Sequence, residues 1–229
     1  ISPVFVKQFI REIMEDEISN FNELYSGVSA ATISAGINAG ASYANYRGYI
    51  GTSGFTTASI HALSNGYKLP FATFITCDTG SFANGESRSE AFLRAGTDLI
   101  PKGGIASVGT ATSSTHTGYN NLYDMGLYYG IFVDGIYTAG GAHSRGKASL
   151  HENFPNDAGG WASYFVHWHN LMGDPSLELW TSLPMPLTVE YPEFIPEGVQ
   201  YLEVSVTDEL ALPVENAWVT LYGDSTDIQ

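Results

Sequence analysis

The sequence predicts an α/β domain in which helices flank a mostly parallel sheet. Residues 71–77 and residues 104–110 have the length and the apolar, β-branched and aromatic content of buried strands. Between them, residues 87–95 follow a helical pattern. Strands that alternate with helices pair in parallel, because each helix carries the chain back to the end of the sheet where the strand began.

The remaining elements extend this pattern in both directions along the chain. We expect helices at residues 5–18, 29–39, 59–63, 119–133 and 161–171, a strand at residues 42–50, and loops at residues 51–57 and 135–156. The second loop is predicted from its high content of Gly, His and Ser. Further on, the apolar residues alternate in the β manner, at residues 199–206 and 217–222. We therefore predict two domains, residues 1–183 and residues 184–229.

The composition favours a secreted or cell-surface protein. The 229 residues carry a net charge of −15, from 24 acidic and 9 basic residues, which argues against nucleic acid as a partner. No apolar run reaches the roughly 18 residues that a membrane-spanning helix needs. The first residues lack a signal-peptide pattern and an initiator Met, so we expect a mature or excised piece of a longer protein.

Cys77 is the single cysteine of the chain, so an internal disulfide is excluded. It ends a predicted buried strand, and ligands of α/β sheets bind beyond the carboxyl ends of such strands. A thiol at that place faces the crevice, where backbone N–H groups can stabilise an oxyanion. The alternative is that Cys77 is a small buried hydrophobe, because free cysteines are among the most buried residues.

Three segments, in chain order, resemble the gingipain-like cysteine peptidases, which have a caspase-like fold. They are Asn-Tyr-Arg-Gly at residues 45–48, the strand from Leu-Pro-Phe to Cys with the following Gly-Ser-Phe at residues 69–82, and Met-Gly-Asp-Pro-Ser-Leu at residues 172–177. The resemblance implies that Cys77 is the nucleophile in peptide-bond hydrolysis through a thioester, with a protein or peptide as substrate or binding partner. It also implies that a partial immunoglobulin-like domain follows, and that the rest of the polypeptide or a partner chain completes the sheet.

The catalytic histidine of this family is replaced. Where the family has Gly/Ala-His-Gly, this chain reads Gly-Tyr-Ile-Gly at residues 48–51, so Tyr49 stands at the histidine position. Tyrosine, with a pKa near ~10, is a poor base at neutral pH. One hypothesis is an endopeptidase in which His116 is the substitute base and amides near Gly48 and Cys77 form the oxyanion hole. The other is a non-catalytic surface scaffold or binding module built on the peptidase fold.

No metal or cofactor motif is recognisable, and the chemistry that the resemblance implies requires no cofactor. The resemblance admits structural calcium, but the sequence does not place a site for it. His167 and His169 are expected to point apart on a helix, which disfavours a shared metal. The segment at residues 115–119 lacks the acid that family members specific for basic residues carry, so that specificity is not implied.

Overall fold

The structure, a computed structural model, describes residues 2–83, 85–195, 197–198 and 201–220. The chain divides into two compact units, Ile1–Ser182 and Leu183–Gln229. No helix in the described part of the chain is both long enough and apolar enough to cross a membrane.

The first unit alternates helices and strands, as expected. Its elements are α1 (Pro3–Met14), α2 (Ala30–Ala39), β1 (Tyr43–Arg47), α3 (Thr57–His61), β2 (Phe71–Ile75), α4 (Arg88–Arg94), β3 (Gly96–Thr97), β4 (Ile100–Pro101), β5 (Ala106–Thr110), α5 (Thr117–Phe132), α6 (Ala139–Asn153), α7 (Trp161–Trp168) and β6 (His169–Met172).

The main sheet has the strand order β1-β2-β5-β6, in which β1, β2 and β5 are parallel and β6 is antiparallel to β5. The predicted mostly parallel sheet is therefore confirmed. Successive side chains of β2 enter opposite hydrophobic clusters: Phe71 and Ile75 pack with α1 and α5, whereas Ala72 and Phe74 pack with α2, α3 and α4. Burial on both faces explains why this strand is a continuous apolar run in the sequence.

The prediction of a loop at residues 135–156 is wrong, because most of this segment forms α6. One of its glycines, Gly146, serves close packing of α6 against α5 and not loop flexibility. A Cβ atom on Gly146 would lie 2.9 Å from the Tyr123 carbonyl oxygen, which is closer than real Cβ atoms come. Thr138, the residue directly before α6, caps the helix by accepting a hydrogen bond from the Gly141 N–H.

The predicted helix at residues 161–171 ends early, at Trp168, and the chain continues as β6. Pairing of β6 with β5 overrides the helical pattern, because four successive residues of β6 lie in register with residues 107–110. The helix at the N-terminus and the strand at residues 42–50 are also shorter than predicted, and end at Met14 and Arg47.

In its described residues, the second unit has one pair of antiparallel strands, β7 (Thr188–Glu190) and β8 (Ser205–Thr207). Residues 217–220 are not in a strand, so the predicted strand at 217–222 is wrong in its described part, and residues 221–222 lie outside the described residues. Residues 199–200, the start of the β segment predicted at 199–206, also lie outside the described residues. An immunoglobulin-like domain stays a prediction.

Candidate active site

Cys77 lies two residues beyond the end of β2, at the carboxyl edge of the sheet, and is partly exposed. Its role as a nucleophile stays a prediction. Its Sγ lies 2.9 Å from Thr115 Oγ1. Asn120, in the first turn of α5, donates a hydrogen bond of 3.0 Å to the same hydroxyl. The sulfur is therefore held by a hydroxyl group that α5 orients.

The loop after Cys77 is fixed to β5. Asp78 has a left-handed backbone (φ 62°), and its N–H donates to Thr112 O at 2.8 Å. The Gly80 N–H donates to Thr110 O at 3.1 Å. The buried Thr79 hydroxyl lies 2.6 Å from Phe74 O, to which it donates, and accepts from the backbone N–H of Thr110. A strained residue in so constrained a turn is typical of functional sites.

The opposite side of the crevice, after β1, is open to solvent. The side chains of Tyr49 and Ile50 are 89% and 56% exposed. Residues 51–54 all have positive φ angles, between 47° and 86°. Among the described residues, the Tyr49 side chain makes no hydrogen bond or ring contact, so it does not replace a histidine at the sulfur.

Gly48 lies between these two sides. Its carbonyl oxygen accepts from Thr76 Oγ1 at 2.7 Å and from Arg47 Nη1 at 3.2 Å. These bonds fix the carbonyl of Gly48 at the floor of the crevice. The role of its amide in an oxyanion hole stays a prediction.

His116 is the residue before α5 and caps this helix, because its Nδ1 accepts from the Gly118 N–H at 3.2 Å. Its ring also packs edge-on against Tyr119, with the ring centroids 5.6 Å apart. His116 lies next in sequence to Thr115, the residue that contacts Cys77. To become a base for the sulfur, His116 would have to leave the cap, so this role stays a prediction.

The other histidines have partners or positions away from the sulfur. His61 Nε2 lies 2.7 Å from a Glu86 carboxylate oxygen, and His167 Nδ1 donates to Ser163 O at 2.7 Å. His151 is exposed on α6. In the described part of the chain, no imidazole forms a hydrogen bond with Cys77 Sγ.

His143, on α6, and His169, on β6, are buried beside Tyr123. Tyr123 Oη and His143 Nδ1 are 2.5 Å apart, and the Tyr123 and His169 rings are in tilted contact with their centroids 3.8 Å apart. Burial lowers the pKa of His143 to about 3 and that of His169 well below its usual value. Both imidazoles are therefore neutral at physiological pH.

Arg47 is the site residue that the sequence analysis missed. It is the last residue of β1, and its guanidinium lies at the carboxyl edge of the sheet. Burial lowers its pKa, and the negative charge of Asp124 partly opposes that change. A basic residue directly before the Gly-Tyr-Ile-Gly segment is the signal that could have drawn attention to it.

Asp124 does not belong to the crevice. It is fully buried under α1, where Lys7 Nζ donates to its Oδ2 and Asn45 Nδ2 to its Oδ1, each at 2.8 Å. This carboxylate cannot recognise a basic side chain of a substrate.

The loop aspartates do not form a ready calcium site. Asp134 is bonded to Arg145, Asp157 accepts from the Ala162 N–H, and Asp174 accepts from Ser176. Among the described residues, no three His, Cys, Asp or Glu side chains are grouped so that they could hold a metal ion. Structural calcium therefore stays a prediction without a placed site.

Comparison with known proteins places this arrangement in a family. The model of peptidase family C25 matches residues 5–180. Gingipain R2 of Porphyromonas gingivalis is 29% identical over 189 residues, which is 78% of this chain and 25% of that protein. Gingipain R1 of the same species is 27% identical over 176 residues, which is 72% of this chain and 17% of that protein.

Two solved structures share the fold. The crystal structure of the Arg-specific cysteine proteinase gingipain R has a TM-score of 0.78 at 24% identity and covers 90% of this chain and 49% of its own. A complex of the pro- and mature domains of this gingipain has a TM-score of 0.72 at 24% identity, over 89% of this chain and 49% of its own. The chain thus spans at most a quarter of these curated relatives and half of the solved chains. Because the family model covers nearly all of the first unit, the chain belongs to peptidase family C25, the gingipain-like cysteine peptidases with a caspase-like fold.

Proposed function

We propose that this chain is a gingipain-like cysteine peptidase module that keeps the crevice of the fold as a binding site and does not hydrolyse peptide bonds. The observation that carries the proposal is the partner of Cys77: Sγ contacts the Thr115 hydroxyl, and no imidazole is bonded to it. In a Cys–His pair the imidazole takes the thiol proton and later protonates the leaving amine. A threonine hydroxyl performs neither step at neutral pH.

A peptide or protein partner suits the surface around Cys77. The exposed apolar side chains of Tyr49, Ile50 and Phe82 follow the ends of β1 and β2. Apolar and aromatic side chains that stay exposed beside a crevice are typical of interaction sites. The solved complex of gingipain pro- and mature domains supports this class of partner by analogy.

The unpaired edge of β1 supports our proposal that the rest of the polypeptide or a partner chain adds a strand to the sheet. The Phe71 N–H donates to Ser42 O, so the backbone groups of Ser42, Ala44 and Tyr46 face β2. Because the groups alternate along a strand, those of the intervening residues face the unpaired side. An additional strand would satisfy them.

We also propose a secreted or cell-surface location, in keeping with the strongly acidic composition, and an immunoglobulin-like identity for the second unit.

The second candidate is an active endopeptidase in which Cys77 attacks the scissile carbonyl and His116 is the base. The exposure of His116 and its position next to Thr115 favour it. This candidate requires that substrate binding moves His116 out of its cap on α5.

The test compares cleavage of a fluorogenic peptide library by four proteins: wild type, Cys77→Ala, His116→Ala and the double variant Tyr49→His with Ile50→Gly. We expect wild type to match Cys77→Ala, because neither has a base at the sulfur. We expect the double variant to gain cleavage that disappears when Cys77 is also replaced. Cleavage by wild type that Cys77→Ala abolishes would refute the proposal, and its loss in His116→Ala as well would establish the second candidate.

A further inference from the structure

We propose that the crevice beside Cys77 binds a carboxylate group of its peptide ligand through Arg47. The inference rests on the proposed binding function and adds the chemical class of the ligand. An acidic side chain and a peptide C-terminus share this chemistry, and the experiments below distinguish them.

Most N–H groups of the Arg47 guanidinium are used to hold it in place. Nε donates to Asn121 Oδ1 at 2.8 Å, Nη1 donates to Gly48 O at 3.2 Å and to Ile75 O at 3.1 Å, and Nη2 donates to Thr117 O at 3.2 Å. A guanidinium has five N–H groups. The remaining N–H group, on Nη2, has no partner among the described residues. The hydrogen bond that Nη2 donates to Thr117 O is exposed to solvent, so a ligand can reach this nitrogen.

The acceptors of Arg47 are all neutral, so none of them neutralises its charge. The carboxylate of Asp124 is close enough to affect the pKa of Arg47, but Lys7 and Asn45 bond to its two oxygens. A partly buried cation without a bonded anion attracts one, because water screens its charge less than it screens an exposed charge.

The position of the guanidinium relates this charge to the crevice. Ile75 lies two residues before Cys77, and Thr117 lies two residues after Thr115, which contacts the sulfur. Arg47 is also near enough for a charge on Cys77 to raise its pKa. The guanidinium therefore lies where the ends of β1 and β2 and the start of α5 meet.

The acid next to Cys77 in sequence, Asp78, does not cancel the charge of Arg47. Asp78 is close enough to Arg88 that its negative charge raises the pKa of that residue. The crevice thus has a positive local charge in a chain of net charge −15. The solved gingipain R is Arg-specific. The proposal gives this chain the opposite preference.

The first experiment alkylates Cys77 with iodoacetate and with iodoacetamide, which differ in a carboxylate and a neutral amide. The ratio of the two rates, relative to the same ratio for glutathione, reports whether the crevice favours a carboxylate. We expect a relative ratio of about ten for wild type. We expect Arg47→Gln to lower it to about one and Arg47→Lys to keep part of it. Arg94→Gln, which removes an exposed cation on α4, is the matched control and should leave it unchanged.

Because Arg47→Gln removes the four hydrogen bonds of the guanidinium, circular dichroism must show that the variant is folded. If the variant is not folded, the salt dependence of the wild-type alkylation ratio replaces the comparison with Arg47→Gln. Added salt should reduce a ratio that arises from a fixed positive charge. A wild-type ratio at or below that of glutathione would overturn the proposal.

The second experiment measures how short peptides protect Cys77 from iodoacetamide. Amidated Ala-Ala-Asp-Ala and Ala-Ala-Asn-Ala test an acidic side chain, and tetra-alanine with a free or an amidated C-terminus tests a terminal carboxylate. We expect protection by at least one carboxylate member, and loss of that protection in Arg47→Gln. Equal protection within both pairs would contradict the proposal. Neither result bears on peptide hydrolysis, so a failure here is distinguishable from a failure of the proposed function.

Discussion

The two sides of the crevice, the turn after β2 and the loop after β1, are held in place to different degrees. On the side of Cys77, which we call the nucleophile side, Thr79 and Gly80 are buried and bonded to Thr110 of β5. On the other side, after β1, Tyr49 and Ile50 project into solvent. The difference indicates that the nucleophile turn is part of the core and is constrained by folding. The side chains of the opposite loop make fewer such contacts, so we expect replacing them to cost little folding stability.

The largest effect should come from breaking the nucleophile side at Gly109. A Cβ atom there would lie 2.7 Å from the Gly80 nitrogen and 2.8 Å from the Thr79 carbonyl carbon, both backbone atoms of the constrained turn. We expect Gly109→Ala to lower the free energy of unfolding by more than about 3 kcal/mol, because β5 and the turn must separate. Urea unfolding measures the effect.

The control for this prediction is Gly27→Ala, since a Cβ atom at Gly27 would meet nothing within 4 Å. Its backbone has a φ of 66°, so a cost of about 1 kcal/mol from backbone strain is expected there. A smaller loss for Gly109→Ala than for Gly27→Ala would show that the turn after Cys77 is not packed tightly on β5.

The second largest effect should come from acid, which lowers the unfolding free energy by protonating a histidine that is buried in the core. The folded-state pKa of His143 is about 3, below its usual 6.5. Between these values the unfolded chain binds a proton that the folded chain does not, so stability falls as the pH drops through this window. We expect the proton bound by His143 on unfolding to lower the unfolding free energy by about 3 kcal/mol at about pH 4 relative to neutral pH.

Urea unfolding of wild type and His143→Gln over this pH range measures the acid effect. Carboxylates contribute to the pH dependence of both proteins, so the difference between the two curves isolates the histidine. The wild-type curve should fall more steeply below about pH 6. Parallel curves would mean that His143 is not buried in neutral form.

The nucleophile side could be predicted from sequence because local and tertiary forces agree there. The strand before Cys77 is apolar at every position, since both faces of β2 are covered, and its length and β-rich content identify it. The position of Cys77 at the carboxyl edge then follows from parallel pairing. The same agreement holds for β5, which is buried at all five positions.

Elements whose form depends on distant partners could not be predicted in this way. In α6, Gly146 fits against α5, whereas a local rule counts glycine as a loop residue. The strand β6 follows a helical pattern and exists because β5 pairs with it. Arg47 gains its role from carbonyl groups on three separate segments, and nothing in a linear pattern indicates that they converge.

A smaller effect should come from removing the Thr79 hydroxyl. This buried group accepts from the Thr110 N–H at 3.0 Å and donates to a carbonyl on the other side, so it joins β5 to the end of β2. Thr79→Val should cost about 2 kcal/mol of unfolding free energy, because buried backbone groups lose their partner. Thr79→Ser keeps the hydroxyl and should cost less. Equal losses in the two variants would assign the effect to packing.

The smallest effect should come from Tyr49. Tyr49 is 89% exposed, so Tyr49→Ala removes little buried area and opens no cavity. The unfolding free energy should change by less than about 0.5 kcal/mol. A loss above about 1 kcal/mol would mean that the ring packs across the crevice in solution, and Tyr49 would then have replaced the histidine as a structural contact to the nucleophile side. The two sides would in that case be coupled, and the freedom to change that their difference suggests would not exist.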